Sequence, residues 1–203
     1  MKYDIEQVKE KIHSSKALFF DFDGTLVNLD KLNVDSFSIV FKEKFNLDFT
    51  RTDFMKYISG RGSKNGIIEY LGVNGIKDFS AEEINTLFYE NKKRLIEERL
   101  DEEIYLLPGI EEFLKVYADG SRKILVVTSS REEHVERMLT HFNIFKYFEK
   151  VIDRNMVIRG KPDPQSYINA IEYSKLNSNE CIAFEDSFYG LQSAKGADLF
   201  TVG

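Results

Sequence analysis

The stretch Ala17-Leu18-Phe19-Phe20-Asp21-Phe22-Asp23-Gly24-Thr25-Leu26 constrains this chain more than any other. A short apolar run that ends at a glycine turn reads as a strand buried on both faces, as inside a parallel sheet. Asp21 and Asp23 then sit at its carboxyl end, where Gly24 is free to turn sharply. Ligands of open α/β sheets bind at that edge. Two carboxylates so close together repel, and a bound cation, a shared proton or a water-filled rim would each let them coexist. A strand that simply ends in a solvated acidic turn is the competing reading. The rest of the chain decides between them.

Other buried strands follow in the second half. Lys123-Ile124-Leu125-Val126-Val127-Thr128-Ser129-Ser130 ends in hydroxyls, and Cys181-Ile182-Ala183-Phe184-Glu185-Asp186-Ser187 ends in paired acids. Val151-Ile152 and Leu199 to Val202 are shorter strand candidates. Helical patterns separate them, at residues 110–117, 131–140, 164–174 and 188–195. The loop Gly160-Lys161-Pro162-Asp163-Pro164 is stiffened by its two prolines. Alternating strands and helices imply an α/β fold, a Rossmann-like parallel sheet with right-handed crossovers. A short amphipathic helix at residues 3–14, with Ile5, Val8 and Ile12 at helical spacing, leads into the first strand.

Between about Asn33 and Leu100 the pattern is helical only. Phe37, Val40, Phe41 and Phe45 form one stripe, Phe54, Tyr57 and Ile58 a second, and Ile67, Ile68 and Leu71 a third that stops at Gly72. Ser80-Ala81-Glu82-Glu83 is a capping box that starts a long helix. The acidic run Asp101-Glu102-Glu103 reads as a solvated hinge. Residues 28–105 are therefore expected to be an all-helical insert, and residues 1–27 and 106–203 one Rossmann-like core.

Net charge is -6, whereas nucleic-acid binding needs a basic face. No apolar run approaches the roughly 20 residues of a membrane span. The single cysteine, Cys181, excludes an internal disulfide and fits a reducing compartment. The expected protein is cytoplasmic and monomeric, with no nucleic-acid or membrane partner.

A parallel sheet would bring its strand ends to one edge. There Asp21, Asp23, Thr128, Ser129, Glu185 and Asp186 would meet, with Lys161 on a loop within reach. Carboxylates, hydroxyls and one ammonium suit Mg²⁺ bound by oxygen next to a phosphoryl group. The lysine, the hydroxyls and the N–H groups of the Asp23-Gly24 turn would hold the phosphate oxygens.

In these motifs the chain resembles the haloacid dehalogenase superfamily, in its phosphatase and phosphomutase branch. Asp21-Phe22-Asp23-Gly24-Thr25 matches the first motif and Thr128 the second. Lys161 in Gly-Lys-Pro-Asp-Pro matches the third, and Glu185-Asp186-Ser187 with Gly190 the fourth. The match runs in order over nearly the whole chain, and the insert falls where the family carries a helical cap. The resemblance implies that Asp21 is a nucleophile forming an aspartyl phosphate and that Asp23 is the general acid and base. It implies Mg²⁺ held by Asp21, the Asp23 carbonyl and Asp186, with Glu185 ligating directly or orienting a water. Thr128 and Lys161 would stabilise charge on the transferring group.

The cap is expected to close over the site and choose the substrate, a small phosphate ester. Arg61, between glycines, and Lys92 on the long helix are candidate anion contacts. For each, an exposed charge without that role stands beside it. Phosphomutases of the β-phosphoglucomutase type share the fourth motif and the Ser-Ala-Glu-Glu helix start. They carry a histidine where this chain has Asn33 and a cap lysine where it has Asn91, which favours hydrolysis. Asp23 argues against dehalogenation. A catalytically silent phosphometabolite-binding module is the reading from another class.

Overall fold

The computed structural model describes residues 4–59 and 63–203. The chain divides into two compact units. Met1–Val27 with Leu106–Gly203 forms unit 1, and Asn28–Tyr105 forms unit 2.

Unit 1 is an α/β layer structure. Helix α1 (Ile5–Ser14) starts at Asp4, whose side chain accepts the Gln7 N–H at 2.8 Å while the Gln7 side chain accepts the Asp4 N–H. Strand β1 (Ala17–Phe20) follows, and the chain leaves the unit through β2 (Val27–Asn28). It returns through β3 (Tyr105–Leu106) and continues as α6 (Ile110–Tyr117), β4 (Lys123–Val127), α7 (Glu132–His141) and β5 (Lys150–Ile152). Then come α8 (Gln165–Ser174), β6 (Cys181–Phe184), α9 (Phe188–Gly196) and β7 (Phe200–Val202). Among the described residues the main sheet has the order β5-β4-β1-β6-β7, and every pair in it is parallel.

The strand run beginning at Ala17 is central because both its faces are covered. Ala17 and Phe19 join a buried layer with Tyr167 and Ala170 of α8 and Ala194 of α9. Phe20 stacks on Phe184 at 4.6 Å between ring centres and meets Phe113 edge-on at 5.8 Å. Cys181 is buried in the first of these layers and behaves as a small hydrophobe.

Unit 2 contains α2 (Asp30–Phe45), the single turn α3 (Arg51–Asp53), a π-helical segment at Phe54–Ile58, α4 (Ser63–Val73) and α5 (Ala81–Glu103). Its core is aromatic. Phe37 of α2 stacks on Phe88 of α5 at 4.0 Å, and Phe41, Phe49 and Tyr70 pack around them. Ser80 caps α5 by accepting the Glu83 N–H.

Three local expectations need correction. Helix α4 runs past Gly72 to Val73, and Ile68 is 51% exposed while Ile67 and Leu71 are buried. The apolar stripe therefore holds only two of its three members. Asp101-Glu102-Glu103 is the last turn of α5, with Glu103 accepting from Lys31 at 2.7 Å and from Arg99 at 3.2 Å. Its acid is tied to two cations and does not form a free hinge. None of the described helices is long and apolar enough to cross a membrane.

Phe37→Ala is expected to destabilise unit 2 by about 3–5 kcal/mol, the usual loss for a buried aromatic. Amide hydrogen exchange checks this: α2 and α5 should lose protection while β1 and β4 keep theirs. Equal loss in both units would contradict it.

Candidate active site

Backbone register delivers the site. Phe20 aligns with Val126 of β4 and Phe184 of β6. The ladder then runs one residue past the strand ends. The Asp21 N–H donates to the Phe184 carbonyl at 2.9 Å, Glu185 N–H to Val202 at 2.9 Å, and Thr128 N–H to Ile152 at 3.0 Å. Three chemically useful residues are thus fixed by the sheet itself. After Asp23 the chain turns at Gly24, whose φ is +89°. A Cβ at Gly24 would run into the Asp186 carboxylate, so this turn and this acid coexist only with glycine.

Lys161 fills the centre. It is 4% exposed, and its Nζ donates to Asp21 Oδ1 at 2.6 Å, to the Val127 carbonyl at 3.1 Å and to Glu185 Oε1. Three N–H donors meet three acceptors, which is all an ammonium can use. Burial pushes the Lys161 pKa down, but Asp21 and Glu185 outweigh burial and the ammonium titrates above its ordinary value. Burial also lifts Asp21 well above the usual carboxylate range; Lys161 opposes that lift, and Glu185 and Asp186 add to it. Asp186 is lifted to about 6 by burial, by Glu185 and by Asp23.

Carboxylate oxygens of Asp21, Glu185 and Asp186 all lie within 4.8 Å of one another. Three ionised acids and one ammonium sum to two negative charges, which a divalent cation would balance. An all-oxygen donor set suits a hard ion of that charge. The residues present therefore fit a divalent metal. Glu185 is the most committed of the three. Its Oε1 accepts from Lys161 and from the Tyr167 hydroxyl at 2.7 Å, and its Oε2 accepts from Ser187 at 3.3 Å.

The other expected residues fall as follows. Asp23 is half-buried in the turn after β1, and its charge acts on Asp186. Thr128 is buried, and its Oγ1 accepts the Ser130 N–H at 3.0 Å, which leaves its own proton to donate. Helix α7 starts at Glu132 after Arg131, whose side chain makes no cap, and Thr128 closes the turn before it. Ser129 is half-buried in the same turn. Lys92 belongs to unit 2, where it is 4% exposed and its Nζ lies 5.8 Å from the centre of the Phe88 ring. It is not an exposed cap charge. Arg61 lies outside the described residues.

Sequence reasoning missed Tyr167. It sits on α8 after the Lys161 loop, fully buried, with its hydroxyl on Glu185 and its ring centre 5.3 Å from Lys161 Nζ. Its place six residues after Lys161 was the only signal in the sequence.

Comparison with known proteins gives the family. Residues 18–203 match the family model described as haloacid dehalogenase-like hydrolase. The chain is 29% identical over 184 residues to a phosphorylated carbohydrates phosphatase of Thermotoga maritima, covering 91% of this chain and 82% of that protein. It is 28% identical over 192 residues to a β-phosphoglucomutase of Bacillus subtilis, covering 93% and 82%. CbbY from Rhodobacter sphaeroides, solved in complex with phosphate, matches with a TM-score of 0.79 at 25% identity, covering 92% of this chain and 84% of that one. The chain belongs to the haloacid dehalogenase-like hydrolases, an enzyme family.

The acid cluster should destabilise the metal-free protein near neutral pH. A carboxyl whose pKa rises on folding binds its proton more tightly in the folded state, so stability falls as pH climbs from about 4 through about 6. Asp186→Asn should therefore raise metal-free stability at pH 7 by about 1 kcal/mol, a figure discounted for solvent screening. The gain should shrink as pH approaches about 4. Urea unfolding in EDTA at two pH values measures it, and a loss of stability at pH 7 would contradict the expectation.

Proposed function

We propose that this chain is a Mg²⁺-dependent phosphomonoester hydrolase acting on a small phosphorylated metabolite, such as a sugar phosphate or a phosphoglycolate-like acid. The observation that carries this reading is the buried Lys161 ammonium, 2.6 Å from Asp21 Oδ1 and beside the acids of a second strand end. The name of the Thermotoga relative supports a phosphorylated carbohydrate as substrate.

Asp21 and Asp186 would hold the ion through side chains and Asp23 through its carbonyl, with Glu185 supporting them from behind. Bound there, Mg²⁺ would neutralise phosphoryl oxygens and the surrounding acids. Lys161 holds the Asp21 carboxylate by one oxygen and so fixes its direction. An Asp21 oxygen attacks phosphorus while the bond from phosphorus to the ester oxygen breaks. Asp23 gives its proton to the departing oxygen. Water then attacks the aspartyl phosphate, Asp23 takes the proton from water, and the bond between Asp21 and phosphorus breaks. Inorganic phosphate leaves and both acids return to their starting states. Thr128 and Ser129 donate to the phosphoryl oxygens, and Lys161 contributes its positive charge beside them.

Unit 2 takes the role of the family's cap, with Lys92 and Arg61 as its candidate substrate contacts. The likeness to a β-phosphoglucomutase makes phosphoryl transfer to a second sugar hydroxyl the competing reading. Asn33 is buried in α2, and Asn91 accepts a hydrogen bond from Arg94 at 3.0 Å. Neither amide can carry a positive charge to a phosphate or to Asp23.

Purified protein should release phosphate from p-nitrophenyl phosphate with Mg²⁺ and stop in excess EDTA. Asp21→Asn should fold normally and show no turnover. Full activity of that variant would sink the covalent mechanism, and undiminished release in EDTA would sink the metal assignment.

Water is expected as the normal acceptor. Given β-glucose 1-phosphate and a trace of the 1,6-bisphosphate, the enzyme should form free phosphate faster than glucose 6-phosphate. The reverse order would restore the mutase.

A further inference from the structure

We infer that Tyr167 is a positioning residue for Lys161, acting through Glu185; this rests on the phosphotransfer role proposed above. The tyrosine has no exposed surface. Its hydroxyl donates to Glu185 Oε1 at 2.7 Å, the same oxygen that receives Lys161. Its ring flanks the ammonium, with Nζ 5.3 Å from the ring centre.

The pairing has a physical consequence. A buried carboxylate bonds strongly to whatever donors it has, because little water competes. With two donors on Oε1, Glu185 shares its charge between a neutral hydroxyl and a cation. Without the hydroxyl the ammonium carries that oxygen alone and is drawn toward Glu185, away from Asp21. Shifts of this kind in supporting residues reduce turnover more than binding, because the ground-state substrate does not need the attacking oxygen aligned.

The local packing fits this role. A Cβ at Gly190 would overlap the Glu185 carboxylate, so α9 approaches this acid closely, and Tyr167 of α8 also touches it. Glu185 has little room to turn, and its direction is set by the donors it finds.

Steady-state kinetics with p-nitrophenyl phosphate and Mg²⁺ test the inference in wild type, Tyr167→Phe, Glu185→Gln and the double variant. Tyr167→Phe keeps the ring and removes only the hydroxyl. Its kcat is expected to fall about tenfold or more, the usual effect of losing a supporting partner, with KM changed less than about twofold. The double variant should lose much less than the product of the two single losses, because both act through one path. Wild-type kcat in folded Tyr167→Phe, or fully multiplicative losses, would overturn the inference. Absence of Mg²⁺-dependent turnover in wild type would instead remove the phosphatase reading.

Proton NMR keeps the inference testable if Tyr167→Phe does not fold or wild type is inactive. The buried Tyr167 hydroxyl should give a slowly exchanging downfield resonance in wild type. Glu185→Gln should move it upfield, since a neutral amide replaces the charged acceptor. A resonance that stays in place would overturn the contact.

Discussion

Everything in unit 1 converges on one buried cation between two buried acids. An ammonium removed from water costs several kcal/mol unless its charge and its protons are matched. Lys161 meets Asp21, Glu185 and the Val127 carbonyl, and those acceptors come from three adjacent strands or their ends. The arrangement is therefore possible only if β1, β4 and β6 lie side by side in the observed register. One displaced strand would leave an ammonium proton or an acid unmatched. The chemistry and the topology are in this sense a single constraint.

Lys161 is also insufficient by itself. Asp21, Glu185 and Asp186 outnumber it, and burial, with Glu185 and Asp23, lifts Asp186 to about 6. Structural ion pairs usually bring acids down. A cluster that brings them up is holding unfavourable charge, which is common at sites that await a cation.

Much of this was legible in the sequence, for identifiable reasons. Strand ends in a buried parallel sheet leave few places for acids, so Asp21, Asp23 and Glu185-Asp186 stood out against apolar runs. Lys161 stood out by its Gly-Lys-Pro setting. What was hidden depends on distant partners. Glu103 looked like a solvated hinge because its partner Lys31 is 72 residues away. Ile68 fits a helical stripe by spacing, yet the packing of unit 2 leaves it outside. Tyr167 resembles any core aromatic until Glu185, 18 residues on, is seen at its hydroxyl. Periodicity shows which face is buried and says nothing of what a buried polar tip touches.

The two units are held together by different means, and this bears on how such a chain can vary. Unit 1 fixes the backbone of Asp21, Glu185 and Thr128 by hydrogen bonds that continue the sheet. Unit 2 has an interior of stacked rings, Phe37 on Phe88 and Phe41 on Tyr70. Its helix ends are joined by charges, with Arg99 bound to both Asp35 and Glu103. Aromatic packing tolerates changes of size only when neighbours adjust, whereas the exposed residues of the same helices are little constrained. A unit that fixes its acids and lysine on a sheet edge and a second unit with its own aromatic core can therefore vary separately. The relatives of this chain carry names as different as phosphatase and mutase.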